Sequence, residues 1–352
     1  MIFPKPALEH FQDFTYIIQQ LTEEEYTMPQ SATPCRLAFT LGDPNGVGPE
    51  VFLKAFSEIT KLCRPVVIGE RGTLEYYGQK LGLTVPDCEY MDKGYYGREP
   101  QPGKLSAAAG AASARYVICA IEEAMLGAVD GMVTLPINKE AINLGGYHYA
   151  GHTEMLGEYT GVTSQSMMLV AGNIRVVLVT THVALESVPA LLNRPRIMQA
   201  MENAYRGMIE IGIALPRVAV CALNPHASDG GVFGSQEEQI ILPAIREYDS
   251  THGTSTAGPL PADSLFARMA AGNEFDVAVC MYHDQGMIPV KMAGFGGGVN
   301  ITMGLPIVRT SVDHGTAFGI AGKGQASSTS LVEATRCAVR ILEHRRSYGG
   351  KA

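Results

Sequence analysis

Three short apolar runs, each ending at a polar motif that contains a histidine, constrain the fold of this chain most strongly. The runs are IRVVLVT, RVAVCAL and FDVAVCM, and they lead into His182, His226 and His283. Their length and β-branched content are typical of buried strands, and helix-length segments alternate with such runs along the chain. The alternation predicts an α/β fold with a mainly parallel sheet and helices on both faces, in which ligands bind at the carboxyl ends of the strands.

Other segments extend the same alternation. We expect a first strand from Arg36 to Leu41, a strand over PVVIG, a long helix capped by Ser106 and ending at Gly127, and a helix with Pro195 in its first turn. Residues 1–34 contain one amphipathic run and then a polar break, so we interpret them as an N-terminal appendage, either a partly ordered tail or an arm that packs on a partner subunit. At 352 residues the chain exceeds the usual size of a single core, which predicts two subdomains in residues 35–352.

Composition excludes several classes of protein. The formal net charge is −8, which argues against non-specific binding of nucleic acid. No stretch approaches the roughly 18 apolar residues of a membrane span, and the N-terminus lacks the pattern of a signal peptide. Seven scattered cysteines without CxxC spacing indicate reduced core residues. These features predict a cytoplasmic protein without a nucleic-acid or membrane partner.

The three histidines suggest a metal site assembled by the fold. Neutral imidazole suits Zn, Co or Ni, and none of the spacings is that of a local helical pair. Each histidine taken singly is typical of a hydrogen-bonded loop residue, whereas three after similar strands favour a shared polar site. Asp284 either orients His283 or forms a turn.

Two glycine-containing motifs precede helices. GDPNGVGPE lacks the GxGxxG spacing of a dinucleotide loop, so we expect a structural strand-to-helix turn in which Asp43 and Asn45 line a cleft. In GHTE, Thr153 or a neighbour can cap the next helix, whose exposed amides would favour an anion. The alternative is a plain cap with His152 at the surface.

Basic and small residues near the C-terminus suit an anionic ligand and a flat nucleotide base. Lys291, Asn300 and Arg309 lie among glycines and apolar residues with few other charges, and Arg and Lys bind phosphate or carboxylate. The segment from Asp313 to Gly324 is rich in small residues, so adenine could lie against its backbone; a plain loop is the other interpretation.

These motifs, taken in order, resemble a known family. GDPNGVGPE, GHTE, TTH, LNPHASDGG, GPLPADSLF, MYHDQG, GVNITMGLP and RTSVDHGTAF are similar to the motifs of 4-hydroxythreonine-4-phosphate dehydrogenases, over about residues 37 to 340. HGTAF-x-IAGKG also resembles the adenosine loop of isocitrate and isopropylmalate dehydrogenases, whose fold that family shares. The resemblance implies that residues 35–352 form two intertwined α/β subdomains around a cleft.

The resemblance also implies a set of site residues. It implies a homodimer whose divalent metal (Zn, Co or Mg) is held by two histidines of one subunit and one of the other, matching His182, His226 and His283. Substrate would be held by His152, Thr153, Lys291, Asn300 and Arg309, and NAD or NADP by the loop containing His314, Gly315, Thr316, Ala317 and Gly322. We expect Asp263 as an acid/base residue and Lys139 or Lys291 near the substrate carboxylate.

The reaction implied is the oxidation of 4-phosphohydroxy-L-threonine to a β-keto acid, which loses CO2 to give 3-amino-2-oxopropyl phosphate. Met287-Ile288-Pro289-Val290-Lys291 and Pro136-Ile137-Asn138-Lys139 look more like a paralogous branch. That branch acts on 4-phospho-D-threonate or 4-phospho-D-erythronate, and its product is dihydroxyacetone phosphate. A cis-dihydrodiol dehydrogenase and a non-catalytic ligand-binding protein are less favoured alternatives. Gly319 stands where relatives of the adenosine loop have an acid, so the loop does not choose between NAD and NADP.

Overall fold

The computed structural model describes residues 34–163, 165–272, 274–294 and 296–349, so the predicted appendage lies outside the described residues apart from Pro34. Within these ranges eleven strands form one sheet. The strands are β1 (Arg36–Thr40), β2 (Arg64–Ile68), β3 (Glu89–Met91), β4 (Gly131–Thr134), β5 (Ser166–Ala171), β6 (Ile174–Leu178), β7 (Val218–Cys221), β8 (Ala257–Leu260), β9 (Val277–Cys280), β10 (Val299–Met303) and β11 (Val308–Val312).

Helices separate most of these strands. They are α1 (Gly48–Leu62), α2 (Arg71–Leu81), α3 (Ala107–Met125), α4 (Lys139–Leu144), α5 (His152–Thr160), α6 (Val188–Leu191), α7 (Arg194–Glu210), α8 (Leu242–His252), α9 (Ala262–Ala271), α10 (His283–Ala293) and α11 (Thr329–Gly349). The predicted cap of α3 is confirmed, because Ser106 Oγ accepts a hydrogen bond from the amide of Ala109. A π-helical turn over Glu237–Ile241 leads directly into α8.

The strand order is β3-β2-β1-β4-β11-β10-β5-β6-β9-β7-β8. Seven of the ten strand pairings in the described residues are parallel, which confirms the predicted mainly parallel sheet. The three antiparallel pairings all lie in the middle, where β10 pairs with β11 and β5, and β5 pairs with β6. Strands β10 and β5 therefore lie between two parallel halves, and the division into two subdomains stays a prediction.

Packing is tight where loops carry residues toward the carboxyl ends of the strands. Gly42 has a φ of 70°, and a Cβ there would lie 2.3 Å from the carbonyl oxygen of Pro136, so this crossing of the β1 and β4 loops requires glycine.

All seven cysteines are free and five are buried, as predicted for reduced core residues. Across the residues that the structure describes, no helix combines the length and apolar character needed to cross a bilayer.

The contact between α3 and α4 generates a stability prediction. A Cβ at Gly110 would lie 1.9 Å from the carbonyl oxygen of Ala141, so Gly110→Ala must push the two helices apart. We expect it to destabilise the protein by about 1–3 kcal/mol, as overpacking does, and to lower the midpoint of thermal unfolding. Gly72→Ala in α2 is the matched control, because a methyl group added there would have no other atom within 4 Å. Equal midpoints for the two variants would contradict the tight contact.

Candidate functional site

A cavity of about 510 Å³, here called the main cavity, lies over the middle of the sheet. Its walls come from the β4–α4 loop, the start of α5, strands β5, β10 and β11, and the loops after β6 and β11. It gathers eight of the residues predicted for substrate, cofactor, metal or catalysis. These are Lys139, His152, Thr153, His182, Asn300, Arg309, His314 and Gly315.

Arg309 is a buried guanidinium that has no carboxylate partner in the described part of the chain. Only 3% of the residue is exposed. Its Nη1 donates to Thr302 Oγ1 at 2.9 Å and its Nη2 to Thr134 Oγ1 at 2.7 Å, while Nε has no partner. Burial lowers the pKa of Arg309 to about 9, so the group is still charged at neutral pH. A buried unpaired cation is costly, and an anion in the cavity would offset that cost.

His152 lies at the start of α5 beside this charge. Burial, and then the positive charge of Arg309, lowers the pKa of His152 well below its usual value, so the ring is neutral. Its Nε2 is buried without a hydrogen-bond partner. The alternative of a surface histidine is therefore wrong, because α5 turns the ring into the cavity. The predicted side-chain cap is wrong as well: the residue before α5 is Gly151, and Thr153 Oγ1 contacts Met167 Sδ at 3.6 Å instead.

Unpaired polar atoms concentrate around this cavity. The described residues contain nine buried side-chain nitrogen or oxygen atoms without a partner, and six of them belong to residues that line it. Such atoms are rare in folded proteins and usually mark a place where a ligand or water completes the hydrogen bonds. The six are His152 Nε2, Gln165 Oε1, Ser166 Oγ, Asn300 Oδ1, Arg309 Nε and His314 Nε2. Gln165 and Ser166 were missed by the sequence analysis, which had no motif to mark β5.

The candidate acid/base residues lie at different places. Lys139 begins α4 and lines the main cavity. Lys291 lies outside it, and its Nζ is bound to Asp313, which does line it, at 2.6 Å from Oδ2 and 2.8 Å from the backbone oxygen. Asp263 is exposed on α9 and lines neither this cavity nor the two smaller ones described below. Within one chain, only Lys139 of the three borders the main cavity.

His182 and His283 lie side by side at the ends of β6 and β9. Their ring centroids are 5.6 Å apart, and both rings border a small cavity of about 350 Å³ that shares Thr181 and His182 with the main one. His283 Nδ1 lies 2.7 Å from Asp284 Oδ1. That hydrogen bond orients the ring and leaves Nε2 available to a metal, as expected if Asp284 orients His283.

His226 follows β7, the neighbour of β9, but lines none of the described cavities. It is the first of four successive non-glycine residues whose backbone is left-handed, and its own φ is 53°. Such strain persists only where surrounding contacts enforce it. Among the described residues of the single chain, no three His, Cys, Asp or Glu side chains lie close enough together to hold a metal ion.

Glu237 holds the loop that carries His226, a role that the sequence analysis missed. The residue is buried; its Oε1 accepts hydrogen bonds from the amides of Leu223 at 2.8 Å and Asn224 at 2.7 Å. Its Oε2 accepts a third bond from Asn224 Nδ2 at 2.9 Å. A pair of acids at the start of a helix, Glu237 and Glu238, was the only signal in the sequence, and such pairs are usually solvated.

The predicted cofactor loop packs on the GDPNGVG turn. The amide of Val47 donates to the carbonyl oxygen of Thr316 at 3.0 Å, and Glu50 accepts the amide of Ala326 at 2.9 Å. Gly315 and Ala317 are exposed, whereas Gly322 is buried against Pro102 and Lys80.

The GDPNGVG turn itself is buried. The expectation that Asp43 and Asn45 line a cleft is wrong, because both are fully buried. Burial raises the pKa of Asp43 to about 6. Asn45 Oδ1 instead accepts the hydroxyl of Tyr96 and the amide of Gln101, so its role is to tie neighbouring loops together.

Comparisons with known proteins identify the family of the chain. Residues 61–338 match the family described as pyridoxal phosphate biosynthetic protein PdxA. A D-threonate 4-phosphate dehydrogenase of Cupriavidus necator is 42% identical over 327 residues, covering 88% of this chain and 98% of its own. A 4-hydroxythreonine-4-phosphate dehydrogenase of Desulfosudis oleivorans is also 42% identical, over 321 residues, covering 86% and 95%. A solved 4-hydroxythreonine-4-phosphate dehydrogenase from Klebsiella pneumoniae aligns with a TM-score of 0.78 at 36% identity, covering 89% and 100%.

The fold and these relatives define a dehydrogenase, an enzyme of the oxidoreductase class with the isocitrate/isopropylmalate dehydrogenase-like fold. The chain belongs to the PdxA family. The resemblance drawn from the motifs is thereby confirmed.

The unpaired charge of Arg309 generates a prediction that separates stability from binding. Because burial lowers its pKa, the folded state disfavours the charged form; this penalty is fully present below about pH 9 and is relieved as pH rises toward the unfolded value. Arg309→Met, similar in length and uncharged, should therefore keep or raise the thermal midpoint of the ligand-free protein. The stabilisation by 4-phospho-D-threonate should shrink, because its anionic groups lose their buried partner.

Arg115→Met is the matched control, since Arg115 is exposed on α3 and lines none of the cavities. It should leave the response to ligand unchanged. A large drop in the ligand-free midpoint of Arg309→Met would mean that the guanidinium is structural, and an unchanged ligand response would mean that the anion is held elsewhere.

Proposed function

We propose that this protein oxidises a phosphorylated hydroxy acid with four carbons, using NAD or NADP and a divalent metal, and that the resulting β-keto acid loses CO2. The substrate proposed first is 4-phosphohydroxy-L-threonine, which would give 3-amino-2-oxopropyl phosphate. The observation that carries the proposal is the buried, carboxylate-free Arg309 in a cavity bordered also by His182 and the His314-Gly315 backbone. The main cavity is thus bordered by a group that can bind an anion, a candidate metal ligand and the candidate cofactor loop.

The buried polar groups suit the phosphate of such a substrate. Arg309 Nε and His152 Nε2 are unpaired, and Asn300 adds an amide whose Oδ1 is unpaired too. A guanidinium binds phosphate oxygens through a planar fork, and the neutral imidazole can donate or accept one hydrogen bond. Thr153, one residue along in α5, also borders the cavity. These residues would bind and orient the substrate so that its hydroxyl lies toward His182.

The loop after β11 would hold the nicotinamide cofactor. His314 and Gly315 border the main cavity, while Thr316, Ala317 and Gly322 continue away from it along the buried GDPNGVG turn. Because the loop enters the substrate cavity at one end, a nicotinamide there would lie beside the substrate. NAD or NADP supplies the hydride acceptor, which no amino-acid side chain can provide.

The histidines fit a divalent metal in their donor chemistry. Asp284 fixes the ring of His283, and His182 lies beside it with its ring exposed to the shared opening of the two cavities. We infer that these two are the pair from one subunit of a homodimer and that His226 comes from the other subunit. Zn, Co or Mg bound there would supply Lewis-acid polarisation of substrate oxygens.

Proton transfer is proposed for the residues around the hydroxyl and carboxylate. Lys139 borders the cavity and would contact the carboxylate. Lys291 is held by Asp313, so its ammonium is positioned by a carboxylate that itself borders the cavity. Asp263 remains proposed as an acid/base residue, although in the single chain it is exposed on α9.

The second candidate substrate is 4-phospho-D-threonate or 4-phospho-D-erythronate, with dihydroxyacetone phosphate as the product. One observation favours it: the acids that border the main cavity are the exposed Glu154 and Asp313, and Asp313 is bound to Lys291. The ammonium group of an amino-acid substrate would therefore meet few free carboxylates, whereas a hydroxyl needs none. The Cupriavidus relative carries the name of such an activity.

We also propose a cytoplasmic location, which the seven free cysteines support.

The decisive assay is NADH or NADPH formation by the Zn-, Co- or Mg-loaded enzyme with each of the three phosphorylated acids. We expect turnover with at least one of them, and the ratio of kcat/KM values identifies the physiological class. Preference for 4-phosphohydroxy-L-threonine would support the first candidate, and preference for either sugar acid the second. Failure with all three acids and both cofactors would refute the proposed function.

The metal site has a readout that is independent of turnover. His226→Ala should abolish tight binding of Co²⁺, followed by its visible absorption, together with activity, because one of three ligands is lost. His148→Ala is the control, since His148 is exposed and borders none of the described cavities. Full cobalt binding by His226→Ala would exclude it as a ligand, and an active monomer by light scattering would contradict a site shared between subunits.

A further inference from the structure

A second cavity of about 480 Å³ lies on the opposite face of the sheet from the main cavity and shares its strands β5 and β10. Side chains alternate between the faces of a strand. Leu169 and Asn300 accordingly border the main cavity, whereas Val170, Val299 and Ile301 border the second. We call this second space the arginine cavity, for the three arginines described next.

The arginine cavity is basic on a chain that is acidic as a whole. Arg175 reaches it from β6, and Arg336 and Arg340 reach it from α11. Of the described residues that line it, Glu333 is the single acid, and it lies 3.5 Å from Arg336 in an exposed ion pair. The cavity therefore has an excess of two positive charges, while the chain carries a net charge of −8. Arginines that are merely solvated are usually scattered over a surface, whereas these three border one cavity.

Arg175 differs from an ordinary surface arginine because it is partly buried and incompletely paired. Its Nη1 donates to the backbone oxygen of Asp276 at 3.2 Å, and its Nε is buried with no partner. Burial lowers its pKa; the Asp276 charge opposes that shift, and nearby Arg340 adds to it. Cys337 lies among all three arginines, whose charges each oppose the rise that burial causes in the pKa of its thiol. The three cations therefore act on one small region.

The remaining wall includes the first turn of a long helix. Gly172, Gly294 and Gly297 line the arginine cavity, and so does Thr329, the first residue of the 21-residue helix α11. The amides of Gly294 and Gly297 already donate to the backbone oxygens of Val290 and Gly294, so this wall contributes the partial positive charge of the helix start. A guanidinium fork together with such a wall suits the tetrahedral oxygens of a phosphate group better than a planar carboxylate alone.

We propose that the arginine cavity is a second anion site. It binds the phosphate group of a small ligand on the face of the sheet opposite the main cavity. The shared chemistry is a phosphate dianion held by Arg175, Arg336 and Arg340. Its source is inorganic phosphate or a phosphorylated metabolite, and the experiment distinguishes the two. The site stands independently of the proposed function, since no residue that borders it borders the main cavity.

The test uses the full chain and hydrogen–deuterium exchange, which locates binding by segment. Inorganic phosphate and glycerol 3-phosphate are added separately, with NaCl at matched ionic strength as the blank. We expect slower exchange in peptides covering residues 168–176 and 329–341. Arg336→Gln/Arg340→Gln should weaken this effect at least about tenfold in apparent Kd, because each lost guanidinium removes a charge-assisted hydrogen bond.

Arg196→Gln/Arg246→Gln is the matched control, with the same change of charge at two exposed residues of α7 and α8 outside both cavities. It should respond as the wild type does. A response to both compounds supports a general phosphate site, and a response to glycerol 3-phosphate alone supports a metabolite site. No protection of these peptides in the wild type, or equal protection in both double variants, would overturn the proposal. A changed mass by light scattering in Arg336→Gln/Arg340→Gln, without phosphate protection, would assign the arginines to a subunit contact and overturn it too.

Discussion

The guanidinium of Arg309, held inside the sheet without a counter-ion, is the constraint on which the rest of the site depends. Among the described residues it is bound only by Thr302, its direct cross-strand neighbour on β10, and by Thr134 on the adjacent β4. These two threonine hydroxyls orient the guanidinium but do not neutralise its charge. Burial of the surrounding apolar core stabilises the fold and offsets the free-energy cost of burying this charge. The fold thus keeps a fixed positive charge ready for an anion, at the expense of its own stability.

That charge adds to burial in keeping its neighbour neutral, and the antiparallel centre of the sheet supplies its hydrogen-bond partner. His152 is driven to the neutral form by burial and by Arg309, so it can only hydrogen-bond and cannot add charge. Strands β10 and β11 pair antiparallel, which places Thr302 opposite Arg309. On the other side of the centre, β6, β9 and β7 run parallel and deliver their three histidines at one edge. Gln285 ties two of these loops together, through the amide of Met281 and the carbonyl oxygen of Ala222.

Local pattern predicted β1, β2, β6, β7 and β9 and the helices α3 and α7, because β-branched runs, caps and helical periods are written in adjacent residues. It did not predict β5, β10 or β11 as strands, since these carry polar residues and depend on pairing with distant segments. Motif resemblance located Arg309, His152 and Asn300, which the structure brings together in one cavity. It could not show that Asp43 and Asn45 are buried or that Glu237 holds the His226 loop, because burial and hydrogen bonding are set by tertiary contacts.

The placement of two polar cavities on opposite faces of the same strands has a mechanical consequence. Asn300 faces one space and its neighbours Val299 and Ile301 the other, so β10 cannot shift for one cavity without shifting for both. The same holds for β5 at Leu169 and Val170. A close-packed sheet transmits such shifts because it has little free volume to absorb them. If the ligands of both cavities discriminate between positions of these strands, binding in one cavity changes the binding free energy in the other, and the reverse effect has the same size, since linkage between two sites is reciprocal.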